Sequence, residues 1–258
     1  MSSILFEIKN SIAFITLNRP EKFNSFNREM ALSLQDRLKE ADLNKEVRCV
    51  YITGAGKAFC AGQDLAEVVD PNGPGMDKIL SEHFNPIISL IRNLNKPVIA
   101  AVNGVAAGAG ANIALCCDIV VATESASFIQ AFSKIGLVPD SSGTFFLPRL
   151  IGFQKASALM MLGDKVIATN AERSGMVYKV FTDESFKEES IKIATTLAAM
   201  PTMGLVFTKQ ALNNSMSNNL EQQLKAEDEL QQKAAGTQDF KEGVQAFIEK
   251  RQPNFKGE

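Results

Sequence analysis

Three segments of this 258-residue sequence combine residue types and spacing that could do chemistry. Residues 128–144 hold a single carboxylate, Asp140, in a Pro-Asp-Ser-Ser-Gly turn bracketed by Leu137, Val138, Phe145 and Phe146. A carboxylate in apolar company has a raised pKa and becomes a useful general base or acid near neutrality. Taken alone, an exposed turn or capping Asp explains the same residues. Residues 57–65 (Lys-Ala-Phe-Cys-Ala-Gly-Gln-Asp-Leu) follow a strand-like run and can present free backbone N–H groups to a ligand, although a plain strand-to-helix connection is the simpler reading. Residues 103–112 (Asn-Gly-Val-Ala-Ala-Gly-Ala-Gly-Ala-Asn) run from an apolar strand into a small-residue helix. Unpaired N–H groups and a positive dipole end there would stabilise an anion or a developing oxyanion. Close helix packing accounts for the glycines of that segment nearly as well. It is not a nucleotide loop, because the Gly-Lys-Ser/Thr ending is missing.

Other chemistries lack their parts. The lone histidine, His83, sits in a predicted helix and reads as a surface or pocket-wall residue. A second histidine for a metal cluster is missing, as is a Gly-x-Ser-x-Gly nucleophile elbow. Cys49, Cys60, Cys116 and Cys117 show no metal-ligand spacing and read as reduced core thiols. No metal site is expected. A net charge of −2, from 27 basic and 29 acidic residues, argues against bulk binding to nucleic acid or anionic membranes. No apolar run reaches the roughly 20 residues of a membrane span. The N-terminus resembles neither a signal nor a transit peptide and the Lys-Gly-Glu tail is no peroxisomal address, so the cytoplasm is the expected location.

The elements that must position these segments alternate at short intervals. Residues 4–8 and 11–17 read as a strand pair turning at Lys9-Asn10. Asn27 caps a helix whose apolar face is Met30, Leu34, Leu38 and Ala41. Strands are expected over 47–53, 97–102 and 118–122, helices over 76–94 and 111–117, and a loop over 71–75. The pattern predicts an α/β fold with a buried sheet. After Pro201 the chain becomes helical and charged, so the division is a core over 1–198 and a helical region over 199–258.

Taken in order, these pieces resemble the crotonase (enoyl-CoA hydratase/isomerase) superfamily. The resemblance rests on Asn18-Arg19-Pro20 with Asn24, then residues 58–65, then residues 96–104, then Cys117-Asp118. It ends with residues 239–243, Ala246-Phe247, Lys250-Arg251 and Phe255. It implies a spiral of ββα units with a C-terminal helical region that builds homotrimers, often paired into hexamers. It also implies an acyl-CoA substrate, with coenzyme A carried by that substrate and no separate cofactor. By alignment, the N–H groups of Gln63 and Ala109 would polarise the thioester carbonyl. Ala61, Asp64 and Leu65 would border the coenzyme A path, and Lys256 would contact a coenzyme A phosphate, across a subunit boundary.

The departures from that family pattern are specific. Where hydratases of the family carry two glutamates, this chain has Asn112 and Phe132, and neither can move a proton. Asp140 fills the place where several isomerases and dehalogenases carry their carboxylate. Residues 131–140 are most similar to the branch that converts the ring epoxide of phenylacetyl-CoA to its oxepin. The resemblance thus implies an isomerase with Asp140 as proton shuttle and a pocket of Phe132, Leu137 and Phe145. Hydration, dehalogenation and a non-catalytic scaffold are the alternatives.

Overall fold

The computed structural model describes residues 2–258. Strands β1 (Ile4–Lys9) and β2 (Ile12–Leu17) pair antiparallel from Ile4↔Leu17 to Lys9↔Ile12. The two residues between them are Asn10 and Ser11, with φ of 50° and 60°, as a two-residue hairpin turn requires. Helix α1 (Arg28–Leu43) begins where expected, with the Asn27 side chain accepting from the Met30 amide. Its buried face is Met30, Leu34, Leu38 and Ala41. Its C-terminal end is closed by Lys96, whose ammonium donates to the carbonyls of Ala41, Asp42 and Asn44.

Three times in succession a longer strand is followed by a three-residue strand that leaves for a second sheet. The pairs are β3 (Cys49–Gly54) with β4 (Ala58–Cys60), β5 (Val98–Val102) with β6 (Val105–Ala107), and β7 (Ile119–Thr123) with β8 (Ser127–Ile129). Helices follow each pair. After β4 come α2 (Leu65–Val69), α3 (Gly75–Lys78) and α4 (Asn85–Asn93), and after β6 comes α5 (Ala109–Leu115). After β8 come α6 (Gly143–Ile151) and α7 (Phe153–Leu162). Then β9 (Lys165–Ile167), α8 (Ala168–Arg173) and β10 (Lys179–Phe181) complete two sheets, ordered β1-β2-β3-β5-β7-β10 and β4-β6-β8-β9. This is the expected spiral of ββα units. The three-residue strands were not legible, because so short a run carries no periodicity.

The inner strands β3 and β5 of the six-stranded sheet are buried on both faces, which explains their unbroken apolar runs. Val50, Ile52, Val98 and Ala100 face one core, together with Leu34 and Leu38 of α1. Cys49, Tyr51, Ile99 and Ala101 face the other, together with Phe186, Ala194 and Ala198 of α9 (Phe186–Ala199). Helix α10 (Thr202–Ser215) is moored to the core by Lys209, which reaches the Ile91 carbonyl at 2.7 Å and Asp118 at 2.9 Å. Helices α11 (Leu220–Ala235) and α12 (Gln238–Glu249) leave Leu220, Leu224, Phe240, Phe247 and Ile248 exposed. No single helix among the described residues is long and apolar enough to cross a membrane.

The helix expected over 76–94 is interrupted. Between α3 and α4 the residues Ile79–Phe84 form a π turn. Pro86 has no N–H for the Glu82 carbonyl, and the Asn85 amide reaches back to Leu80 instead. The side chain of Gln35 supplies the missing donor to Glu82 at 2.7 Å and a second to the His83 carbonyl at 3.2 Å. His83 itself is fully buried, not at a surface or in the pocket wall. Among the described residues its Nδ1 has no partner, and burial pushes its pKa down.

Candidate active site

The three segments of interest converge on one cavity of about 210 Å³. Ala61, Gly62, Gln63 and Leu65 form one wall, Gly108 and Ala109 a second, and Phe132, Lys134, Ile135, Leu137 and Asp140 a third. Val68, Met76 and Ile79 close it from α2, α3 and the start of the π turn.

Each of the first two walls offers a backbone amide. The segment after β4 is stitched to residues 23–26 by Ala61 N to Phe23 O at 2.9 Å, Phe26 N to Gly62 O at 2.7 Å and Asp64 N to Phe26 O at 2.8 Å. Asn24 holds that companion segment in place. Its side chain accepts from the Arg19 amide and donates to the carbonyls of Ala55 and Ala58. The Gly62 amide is engaged by the Cys60 sulfur at 3.3 Å, and burial pushes that thiol up to about 12, so Cys60 is an inert core thiol. The next amide, that of Gln63, is left over. Across from it, Gly108 adopts φ 53° and ψ −129°, a conformation suited to glycine, and turns the Ala109 amide outward as the first residue of α5. Among the described residues neither amide donates to another backbone carbonyl. A Cβ on Gly62 would lie 3.3 Å from the Ala109 nitrogen, so the two turns touch.

Helix α5 starts two residues earlier than the sequence suggests and is only seven residues long. A strong dipole is therefore not needed. Two converging N–H donors in an apolar recess are what would stabilise an oxyanion.

Asp140 stands on the third wall. Its carboxylate is half-buried and unpaired, and burial pushes its pKa above the ordinary carboxylate value. The Ser141 hydroxyl, donating at 2.8 Å, opposes this only in part. Its own carbonyl is fixed by the Gly143 amide at 2.9 Å and the Asn112 side chain at 2.8 Å. The following residues, Ser141 and Ser142, both take positive φ, a strained turn that holds the carboxylate where it is. Among the described residues, Asp140 is the sole acid in the lining and Lys134 the only other ionisable side chain there.

Of the residues singled out in the sequence, Asp140, Gln63, Ala109, Ala61 and Leu65 all line this cavity. Asp64 does not. It caps α2 through the Ala66 amide and pairs with Arg19 at 2.9 Å. Burial would raise its pKa, but the Arg19 guanidinium and the Ala66 amide outweigh that and hold it low. These two contacts anchor the wall that carries Gln63. Lys256 lies in a separate recess near Asp239 and Glu242, its amide bonded to Asp239 at 2.7 Å, and within one chain it does not reach the cavity. Phe132 and Leu137 line the pocket as expected, but Phe145 does not. It packs against Phe146 and lies beneath the Arg149 guanidinium at 3.9 Å. The sequence places residues 66–80 beside the pocket without resolving side chains, and Met76 and Ile79 of that stretch line it. Gln130 falls within the stretch 128–144, but its bond to Asn112 has no local signal.

Residues 7–258 match the family model described as enoyl-CoA hydratase/isomerase. The chain is 46% identical over 260 residues to the 1,2-epoxyphenylacetyl-CoA isomerase of Escherichia coli K12, covering 100% of this chain and 99% of that protein. It is 34% identical to the 2,3-dehydroadipyl-CoA hydratase of the same organism, covering all of both chains. Among solved structures, an enoyl-CoA hydratase from Bacillus anthracis superposes with a TM-score of 0.92 at 34% identity, over 99% of this chain and 100% of that one. Relatives of both hydratase and isomerase description thus share this frame from end to end, and the chain belongs to the enoyl-CoA hydratase/isomerase family, the crotonases.

Proposed function

We propose that this protein is an acyl-CoA isomerase that moves one proton between two carbons of its substrate, with Asp140 as the shuttle and the amides of Gln63 and Ala109 as the oxyanion hole. The observation that carries this reading is the single acid in the cavity lining. Hydration needs one group to take a proton from water and another to protonate carbon. The two positions that hold glutamates in hydratases are here Asn112, which is tied up in holding a backbone carbonyl, and Phe132.

One carboxylate is enough for a proton shift. In a 3-enoyl thioester, Asp140 removes a proton from C2, and the electron pair moves into the carbonyl, whose oxygen is held by the two amides. The carboxylic acid so formed returns the same proton to C4, leaving the double bond between C2 and C3. The ring-epoxide reaction is the same step on another frame. Opening of the ring bond beneath the epoxide gives an oxepin whose side-chain CH2 is allylic to a ring double bond. Taking a proton from that CH2 and returning it to the ring carbon two positions away yields the ylidene oxepin, with no atom gained or lost. The raised pKa of Asp140 suits it to both halves of the exchange. Apolar walls keep water from the intermediate. The ring-epoxide substrate is the favoured one, supported by the Escherichia coli isomerase among the relatives.

The exposed apolar residues of α11 and α12 suit residues 199–258 to subunit contacts, and we assign them to a homotrimer, alone or paired as a hexamer. Four free, buried cysteines are compatible with a reducing cytoplasm. The test is a parallel assay with the epoxide, a 3-enoyl-CoA and a 2-enoyl-CoA. Turnover of the first two without net hydration of the third is expected. Rapid hydration of the 2-enoyl substrate would overturn the assignment.

A further inference from the structure

Asn112 has no proton to move, yet it is buried to 1% exposure and both polar atoms of its side chain are engaged. Its Nδ2 donates to the Asp140 carbonyl at 2.8 Å, and its Oδ1 accepts from Gln130 Nε2 at 2.8 Å. Gln130 is 4% exposed, and its other amide atom, Oε1, is buried without a partner. The polarity of this chain of bonds can be fixed from one end. The Asp140 carbonyl can only accept, so Asn112 must turn Nδ2 toward it. Asn112 therefore turns Oδ1 to Gln130, and Gln130 must answer with Nε2. The orphaned Oε1 is what remains.

The same residues close a ring with the oxyanion wall. The Asn112 amide donates to Gly108 O at 3.2 Å, and the Gly108 amide donates to Ile129 O at 2.9 Å, next to Gln130. Asn112 lies one helical turn beyond Ala109. It also meets the turn after Asp140 closely: a Cβ on Gly143 would fall 2.3 Å from its Nδ2. The spacing between the Ala109 amide and Asp140 is thus set through a single helical turn and two buried side chains.

We propose that Asn112, oriented by Gln130, is the positioning residue that sets Asp140 at its working distance from the oxyanion hole. This rests on the reading of Asp140 as proton shuttle. The role is geometric. The substrate's carbonyl oxygen and the carbon that loses the proton are separated by fixed bonds, so the amide and the carboxylate must be separated to match.

The experiment measures kcat for the epoxide and a 3-enoyl-CoA, and Kd for phenylacetyl-CoA as an unreactive ligand, in Asn112→Leu, Gln130→Met and the double variant. A misplacement of about 1 Å costs on the order of 100-fold in rate, so Asn112→Leu is expected to lose roughly 10- to 100-fold in kcat. Gln130→Met is expected to lose less, and the double variant no more than Asn112→Leu alone, because Gln130 acts through Asn112. Kd is expected to stay within about threefold, since positioning serves the transition state and not ground-state binding. Losses that simply multiply in the double variant overturn the role, and undiminished kcat in Gln130→Met overturns it even if Asn112→Leu fails to fold. An equal loss in kcat and in ligand affinity overturns it too, by making the effect a general loosening. Asp140→Asn separates the two levels: activity surviving there refutes the shuttle, whereas activity lost there but intact in the other variants refutes only the positioning.

Discussion

The cavity is built in two ways. On the side of Gln63 and Ala109 the atoms proposed to work are backbone amides, the first on a turn bonded to Asn24, Cys60 and Phe26 and the second on a turn held by the Ile129 carbonyl. On the opposite side the proposed working atom belongs to a side chain, Asp140, at the end of a stretch in which residues 133–138 are exposed. The first side depends on backbone shape and is largely indifferent to side-chain identity. The second depends on identity, since its geometry serves only to aim one carboxylate. Substitutions should therefore act oppositely on the two sides.

The largest effect is expected at Asp140. Asp140→Asn keeps shape and removes the base, and the loss in kcat should be about 1,000-fold or more, measured in the isomerisation assay. The pH dependence carries the same signature. Asp140 must be ionised to start the reaction, so kcat/KM should fall as pH drops through a pKa lying above the ordinary 3.8. Stability runs the other way. A carboxyl raised by burial destabilises the fold once ionised, and that penalty disappears as pH falls through its raised pKa. Asp140→Asn should therefore melt no lower than the parent at pH 7, and the two should draw together in acid. A variant that melts several degrees lower at pH 7 would show that the carboxylate is structural.

Next in size is Gly62→Ala. At φ 94° a side chain is strained, and its Cβ would meet the Ala107 carbonyl at 2.9 Å. Displacing one oxyanion donor costs on the order of 100-fold in kcat. Smallest is Gln63→Ala, which removes the amide side chain and its bond to Glu67 but leaves the N–H in place. A change within about threefold is expected. A large loss there would mean that the Gln63 side chain, and not the peptide, serves the reaction, and the contrast between the two sides would fail.

That contrast also explains what was legible in the sequence. The α1 face and its Asn27 cap follow from local pattern and stand where the residues put them, while the buried strands lie within two residues of expectation and the hairpin turns at Asn10-Ser11, one residue after Lys9-Asn10. Asp140, Gln63 and Ala109 could be aligned because motifs travel with their turns. What escaped detection depends on contacts between distant residues. Asp64 finds Arg19 across 45 positions, Gln35 reaches Glu82 across 47, and Gln130 meets Asn112 across 18. No local spacing encodes such partners. Phe145 was misplaced for a related reason: its facing follows from how α6 leaves the strained turn at Ser142, which composition does not reveal.

The π turn at Ile79–Phe84 has a genetic consequence. Such a turn holds one residue more than an α turn, so losing a single codon within it leaves a helix that can still close its hydrogen bonds. The protein would fold, with α4 still seated on the core through Ile87 and Ile91. The wide turn absorbs its extra residue locally, so α3 would keep its facing and Met76 would still close the cavity. A codon lost at this point is the one this rod would tolerate most readily.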